Sequence, residues 1–187
     1  MGYFETEEGV DQYLGMVSGP DRGMVERLSR LLPAGATVLE IGMGPGHDLQ
    51  LLADRYRVVG TDRSPIFVQR FAAQHPGVDV RRVDATALDL PERFDGVYSN
   101  KVLQHLTADE LRASLAGQYR LLVPGGVALH SLWYGTQCER HAGLRFQQYT
   151  GETFAAVLDG LFVIESAARY AEESEDDSLA VVLRRKD

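Results

Sequence analysis

The sequence predicts an α/β fold, doubly wound around a mostly parallel seven-stranded sheet, with an antiparallel C-terminal strand and helices on both faces. Three observations predict it. Short apolar runs rich in β-branched residues alternate with segments of helical periodicity from Thr37 to Trp133, a pattern that calls for right-handed crossovers and parallel strands. A glycine-rich turn, Gly42-Met43-Gly44-Pro45-Gly46, follows the first of those runs and precedes a helical segment. The last two strand-like runs are joined by a short acidic loop without a helix, which allows only an antiparallel pair.

Element by element, Val10, Tyr13, Leu14 and Val17, then Met24, Val25, Leu28, Leu31 and Leu32, recur at helical spacing on either side of Ser18-Gly19-Pro20. Two N-terminal helices with a break are expected. Thr37 to Ile41 is a buried first strand, bounded by Pro33-Ala34-Gly35 and by the glycine turn. The alternation continues as helix Asp48 to Arg55, strand Arg57 to Thr61, helix Pro65 to Gln74, strand Val78 to Val83 and strand Phe94 to Ser99. Helix Ala108 to Leu122 and strand Val127 to Trp133 follow; then come helix Thr150 to Leu158 and the antiparallel strands Phe162 to Tyr170 and Leu179 to Arg184.

The 187 residues suit one domain with a continuous core. Its division is expected to be N-terminal helices at 1–32 forming a lid, a cofactor-binding core at 37–133, and a substrate-side loop with the C-terminal strand pair at 134–187. The single cysteine, Cys138, excludes an internal disulfide and a cysteine-rich zinc site and fits a reducing compartment, so a cytoplasmic protein without a bound metal is expected. The stretch from Met1 to Glu8 is acidic where a secretion signal is basic, and no run reaches the length of a membrane span. A net charge of −8, from 27 acids against 19 bases, disfavours nucleic-acid partners. The run Glu172, Glu173, Glu175, Asp176, Asp177 reads as a solvated hairpin loop.

The glycine turn carries the first chemical signal. Glycines between a strand and a helix let a ligand approach the backbone, and the helix N-terminus offers free N–H groups to an anion. The dinucleotide fingerprint places its third glycine three residues after the second; here that position is His47, and the third glycine is Gly46. Asp62 lies 20 residues beyond Gly42 at the end of the second strand, where a carboxylate can accept two hydrogen bonds from ribose hydroxyls. Ser64 before Pro65 is suited to cap the following helix, which frees Asp62 from that task.

With Glu40, Gly42, Gly44 and Gly46 in the order acid, G-x-G-x-G, the sequence resembles the class I S-adenosylmethionine-dependent methyltransferases, which have a Rossmann-like fold. Further segments share the resemblance: Gly60 to Pro65 around Asp62; Val83-Asp84-Ala85-Thr86; Phe94 to Asn100 with Lys101 to Leu106; and Leu121 to Val127. It runs from about Thr37 to Trp133. The resemblance implies S-adenosylmethionine as cofactor and S-adenosylhomocysteine as product, with Gly42 and Gly44 beside the methionine portion and Asp84 and Ala85 at the adenine. The expected cofactor set is Tyr13, Glu40, Gly42, Gly44, Gly46, Asp62, Arg63, Asp84, Ala85 and Asn100, with Tyr13 as an aromatic cover from the N-terminal helices.

Methyl transfer from a sulfonium asks chiefly for in-line positioning, and for a base only when the acceptor must lose a proton. Residues at the C-terminal strand edges qualify for this work: Asn100, Lys101, Gln104 and His105 after the fourth strand, Trp133 and Tyr134 after the fifth. His105 is the candidate base, since its side chain titrates near neutrality. His130 is expected to alternate into the core, and His141 and Cys138 to lie in a loop. At the end of strand four, Ser99-Asn100-Lys101-Val102 replaces the Asn/Asp-Pro-Pro-aromatic run of enzymes that methylate base amines. Together with the acidic charge this favours a small-molecule acceptor with an oxygen or nitrogen nucleophile. The alternatives are a non-catalytic protein that binds S-adenosylmethionine or a partner, and an NAD-dependent oxidoreductase, disfavoured by the misplaced third glycine and the antiparallel pair.

Overall fold

A computed structural model of the chain describes residues 3–17, 19–141 and 143–187. Met1, and Ser18 of the predicted break, lie outside the described residues. Helix α1 (Glu7–Leu14) starts at Thr6, whose hydroxyl accepts the Gly9 N–H at 3.1 Å, and helix α2 (Arg22–Leu31) starts at Asp21, which accepts from Met24 N at 2.9 Å. Both ends use the short oxygen side chains that satisfy orphan amides at a helix start.

The strands of the main sheet are β1 (Thr37–Ile41), β2 (Arg57–Asp62), β3 (Asp79–Arg82), β4 (Phe94–Asn100), β5 (Leu122–Trp133), β8 (Phe162–Tyr170) and β9 (Ser178–Arg185). Between β5 and β8 lie β6 (Cys138–His141), β7 (Leu144–Gln147) and helix α6 (Gly151–Ala155). The crossover helices are α3 (His47–Ala53), α4 (Pro65–Gln74) and α5 (Ala108–Leu121). The sheet order is β3-β2-β1-β4-β5-β9-β8. The first five strands pair in parallel, and β9 enters antiparallel to both β5 and β8.

Alternating side chains give the sheet two buried faces. On one, Leu39, Ile41, Val97, Ala128, Leu132, Leu179, Val181 and Leu183 pack against Leu111 and Leu115 of α5 and Phe154 of α6. On the other, Val38, Tyr98, Val127, Leu129, Ala180 and Val182 meet Met24 and Leu28 of α2 and Leu52 of α3. Strands buried on both faces read as continuous apolar runs, as the parallel ones here do. His130 is fully buried as expected, with Nδ1 2.8 Å from the Ser99 hydroxyl.

Several expectations are corrected. Cys138 and His141 lie not in a loop but on β6 of the antiparallel hairpin β6–β7, whose strands, at four residues each, leave only a short sequence signal. The helix expected to reach Leu158 stops at Ala155, and Asp159 adopts a left-handed φ of 48° in the turn that follows. Strand β5 begins at Leu122, pairing with Phe94 across an irregularity before Gly96. The acidic hairpin loop forms, yet part of it is structural. Asp177 accepts the N–H groups of Glu172, Glu173 and Ser174 at 3.0, 3.0 and 2.8 Å, and Glu172 pairs with Lys101 at 3.0 Å. A tight turn needs acceptors for its own amides, and Asp177 supplies them. Those donors outweigh burial and hold its pKa down at about 2.

Among the described residues no helix is long and apolar enough to cross a membrane, and no group of three or more acidic, His or Cys side chains is placed to hold a metal ion. The strand order reverses between β1 and β4, so the chain leaves their C-terminal ends toward opposite faces, into α3 after β1 and toward α5 after β4. That reversal is where open sheets of this kind form a ligand crevice.

Candidate functional site

A cavity of about 350 Å³ opens at that crevice, within the size range of small-molecule sites. The turn after β1 supplies Gly42 and Gly44, the end of β2 Asp62 and Arg63, the segment after β3 Asp84 and Ala85, and β4 Asn100. Tyr13 and His105 also line it, whereas Glu40 and Gly46, expected in the same set, lie behind the wall.

Gly44 shows why glycine stands in this turn: its φ of +52° is a left-handed conformation that favours glycine, and the atom nearest to a Cβ there would be Tyr13 Cε1 at 3.9 Å, in ordinary contact. With no side chain of its own, it presents backbone to the cavity it lines. Gly46 serves packing instead. It is the left-handed N-cap of α3, and a Cβ would run into the Phe71 ring.

Asp62 fixes the turn in place. Its Oδ2 accepts the Gly44 N–H at 2.9 Å and its Oδ1 the Ser64 N–H at 2.7 Å. Ser64 caps α4, accepting from Phe67 N at 3.3 Å with Pro65 as the first helical residue, as its sequence position implied. Two further carboxylates crowd the same region from behind. Asp48 on α3 accepts from Tyr98 Oη at 2.6 Å, Asn100 Nδ2 at 2.9 Å and Asp21 N at 2.7 Å, joining β4 to the start of α2. Glu40 is 3% exposed, and its Oε2 has no hydrogen-bond partner among the described residues.

Burial raises the pKa of all three acids, and in Glu40 the negative charges of Asp48 and Asp62 raise it further. None of the three has an ion-pair partner among the described residues. Buried carboxylates without a counter-charge are costly. The cluster therefore suits a ligand that brings a positive charge.

An aromatic wall closes one side, made of Tyr13, expected there, with Phe4 and Phe67, which the sequence did not single out. The Tyr13 ring lies edge-on to Phe4 at 5.2 Å and to Phe67 of α4 at 5.8 Å. Arg70 ties α1 to α4 through Asp11 at 2.7 Å and through Glu7. Asp84 accepts from the Thr86 amide and hydroxyl at 2.8 and 2.7 Å.

Across the cavity, Leu103–His105 form a 3-10 turn that carries His105. Its Nδ1 lies 2.6 Å from the Arg145 carbonyl, so that nitrogen carries the proton and donates, leaving the Nε2 lone pair. Burial lowers its pKa, the Arg145 carbonyl opposes this, and the Arg63 charge lowers it further. Arg140 and Arg145 of the β6–β7 hairpin line the cavity as well. No sequence pattern announces them, because the hairpin reaches the site only through the tertiary fold.

Of the other candidates at the strand edges, Lys101 also lines the cavity, while its ammonium and Gln104 brace the scaffold. Gln104 is buried and accepts the Trp133 N–H at 3.1 Å. The Lys101 ammonium stands 3.5 Å above the Trp133 ring and donates to Ser178 Oγ at 2.6 Å, fastening β4 to β9. Trp133, Tyr134, Cys138 and His141 are absent from the cavity wall.

Comparison with known proteins places this architecture. Residues 38–126 match the family model of a methyltransferase domain. A probable S-adenosylmethionine-dependent methyltransferase of Mycolicibacterium smegmatis is 38% identical over 100 residues, covering 52% of this chain and 38% of the relative. A trans-aconitate 2-methyltransferase of Methylobacterium nodulans is 34% identical over 120 residues, covering 62% and 45%. The chain thus spans less than half the length of these relatives. Among solved structures, the Burkholderia thailandensis 1,6-didemethyltoxoflavin-N1-methyltransferase, bound to 1,6-didemethyltoxoflavin and S-adenosylhomocysteine, superposes with a TM-score of 0.76 at 26% identity, covering 89% of this chain and 78% of that one.

Proposed function

We propose that this chain is a class I S-adenosylmethionine-dependent methyltransferase, as its match to the methyltransferase-domain model and its relatives support, and that it transfers a methyl group from S-adenosylmethionine to an oxygen or nitrogen nucleophile of a small molecule. The observation that carries the reading is the group of Glu40, Asp48 and Asp62, three buried acids with no ion pair among the described residues, set at and behind a glycine turn that lines the cavity. They fit a ligand whose methionine end carries an ammonium and a sulfonium. When bound, S-adenosylmethionine supplies an electrophilic methyl group whose leaving group is a neutral thioether.

The residues divide the work as follows. Gly42, whose missing Cβ makes room for the Val102 side chain, and Gly44 present backbone on the cavity wall to the methionine portion, with Glu40 and Gly46 supporting the turn from behind. Asp62 accepts from the ribose hydroxyls with Arg63 beside it, and Asp84 and Ala85 meet the adenine. Tyr13 covers the cofactor from the N-terminal helices at 1–32, so the core at 37–133 binds the nucleotide and the segment at 134–187 faces the acceptor. Asn100, held by Asp48 and by the Ser131 hydroxyl, presents a fixed amide to the cavity. Holding the acceptor in line with the methyl carbon accounts for much of the rate. His105, neutral and with a free Nε2 lone pair, takes the proton of an acceptor that must lose one.

The acidic net charge argues against nucleic-acid substrates, and the small molecules named for the relatives support a small acceptor; the single cysteine fits a cytoplasmic setting. Calorimetric titration of the purified chain with S-adenosylhomocysteine tests the reading: saturable binding is expected, with no heat from NADH. Binding of NADH alone, or no heat from S-adenosylhomocysteine or S-adenosylmethionine, overturns it. In His105→Ala, cofactor affinity is expected to hold while turnover of a protic acceptor falls.

A further inference from the structure

We infer that the acceptor carries an oxyanion, a carboxylate or a phosphate group, held between Arg140 and Arg145; the inference rests on the methyltransferase reading of the same cavity. In the β6–β7 ladder Arg140 stands directly opposite Arg145. Directly opposed residues project from one face with Cβ atoms about 4.5–5.5 Å apart, and like charges so placed destabilise a hairpin. Neither guanidinium has an ion-pair partner among the described residues, although the chain has 27 acids against 19 bases.

The acids that could neutralise the pair are engaged elsewhere. Glu139 on β6 lies 3.1 Å from His141 Nε2, and Glu110, on the cavity wall, accepts from the Thr107 amide and hydroxyl at 2.7 and 2.8 Å. The Arg145 Nε is buried with no acceptor. The same guanidinium is oriented through Nη2, which donates to Gln147 Oε1 at 2.6 Å, and Gln147 Nε2 is anchored on the carbonyls of Gln137 and Gln148 at 3.1 and 2.9 Å. Two opposed cations, one of them oriented and short of an acceptor, match the paired oxygens of a carboxylate or phosphate.

The position suits an acceptor. The Arg145 carbonyl takes the His105 Nδ1–H at 2.6 Å, so the hairpin is seated on the residue proposed as base, while Asp62 and Asp84 occupy the opposite, nucleotide end. An anion held there would relieve the repulsion between the arginines and set its remaining groups toward the cavity.

The test titrates the chain, saturated with S-adenosylhomocysteine, with citrate, glycerol 3-phosphate and the uncharged triethyl citrate, in wild type, Arg140→Gln, Arg145→Gln and the double variant. At least one oxyanion is expected to bind and the neutral ester not to. Affinity for the oxyanion should fall about tenfold or more in each variant, the scale of one lost charged hydrogen bond, with S-adenosylhomocysteine affinity unchanged. Preference for citrate assigns a carboxylate; preference for glycerol 3-phosphate assigns a phosphate. In anion-free buffer Arg140→Gln should melt no lower than wild type, because it removes a repulsion. A lower melting temperature, oxyanion binding that survives in the double variant, equal binding of the ester, or no oxyanion binding by a chain that does bind S-adenosylhomocysteine overturns the inference. Failure of wild type to bind S-adenosylhomocysteine counts instead against the methyltransferase reading.

Discussion

Asp62 is bound twice over by backbone, to Gly44 and to Ser64, so the carboxylate proposed to grip the ribose also fixes the turn proposed to admit the methionine portion. Asp62→Ala removes both acceptors at once. It should weaken S-adenosylhomocysteine binding by roughly 1–3 kcal/mol, the cost of losing charged hydrogen bonds. Asp62→Asn keeps one acceptor oxygen and should fall between Ala and wild type; equal affinity in all three, read by calorimetry, contradicts the dual role. Asp62, Gly44 and His105 were legible because each follows a strand that the apolar pattern locates. Gly46 was legible as a motif residue but not in its task, which depends on the Phe71 ring 25 residues further along the chain. Asp48 was not legible at all. Its partners Tyr98 and Asn100 lie 50 and 52 residues away, and no local spacing encodes a contact made across two elements.

At the scale of elements, the parallel strands and their crossovers could be read because strands buried on both faces are continuous apolar runs, and the helices between them keep a 3.6-residue period. The β6–β7 hairpin could not. Its eight strand residues are half-buried or exposed; β6, Cys138-Glu139-Arg140-His141, has no apolar alternation, and that of β7, Leu144-Arg145-Phe146-Gln147, spans only four residues. That gap hid Arg140 and Arg145, and with them the wall opposite the nucleotide end. Helix α5 shows how an element boundary reaches the site. Thr107 and Glu110 close a reciprocal capping box at its first turn, and both line the cavity. Thr107→Ala should cost about 0.5–2 kcal/mol of folding stability, as N-cap removals do, measured by urea denaturation. It also removes one of the two donors that hold the Glu110 carboxylate, which lines the same cavity as the hairpin arginines. If Glu110 then pairs with them, the variant should bind oxyanions more weakly than its loss of stability explains.

For the whole molecule, the same burial that makes a two-faced sheet possible sets its response to acid. His130, on a central strand of the sheet, is fully buried, with the Ser99 hydroxyl at its Nδ1 and its Nε2 unpartnered among the described residues, and burial lowers its pKa from 6.5 to about 3. As pH falls below 6.5 the unfolded chain takes up a proton that the folded chain refuses, so stability contributed by the neutral imidazole is lost progressively until about pH 3. His105, also lowered by burial, acts in the same direction. Glu40, Asp48 and Asp62 act in the opposite one: their raised pKa values favour the fold at low pH, and that contribution is lost as pH rises through the folded values. A total pH profile therefore mixes two signs, and a single substitution is needed to separate them. His130→Gln removes the titrating ring while keeping a polar group for Ser99. At pH 7 the variant should be the less stable, from lost packing. Between pH 6.5 and 4 the gap to wild type should narrow, with a slope approaching about 1.4 kcal/mol per pH unit, the limit for one proton. Urea denaturation at a series of pH values measures it. A gap that stays constant over that interval would show that His130 gains its proton equally easily in both states, which complete burial in this sheet forbids.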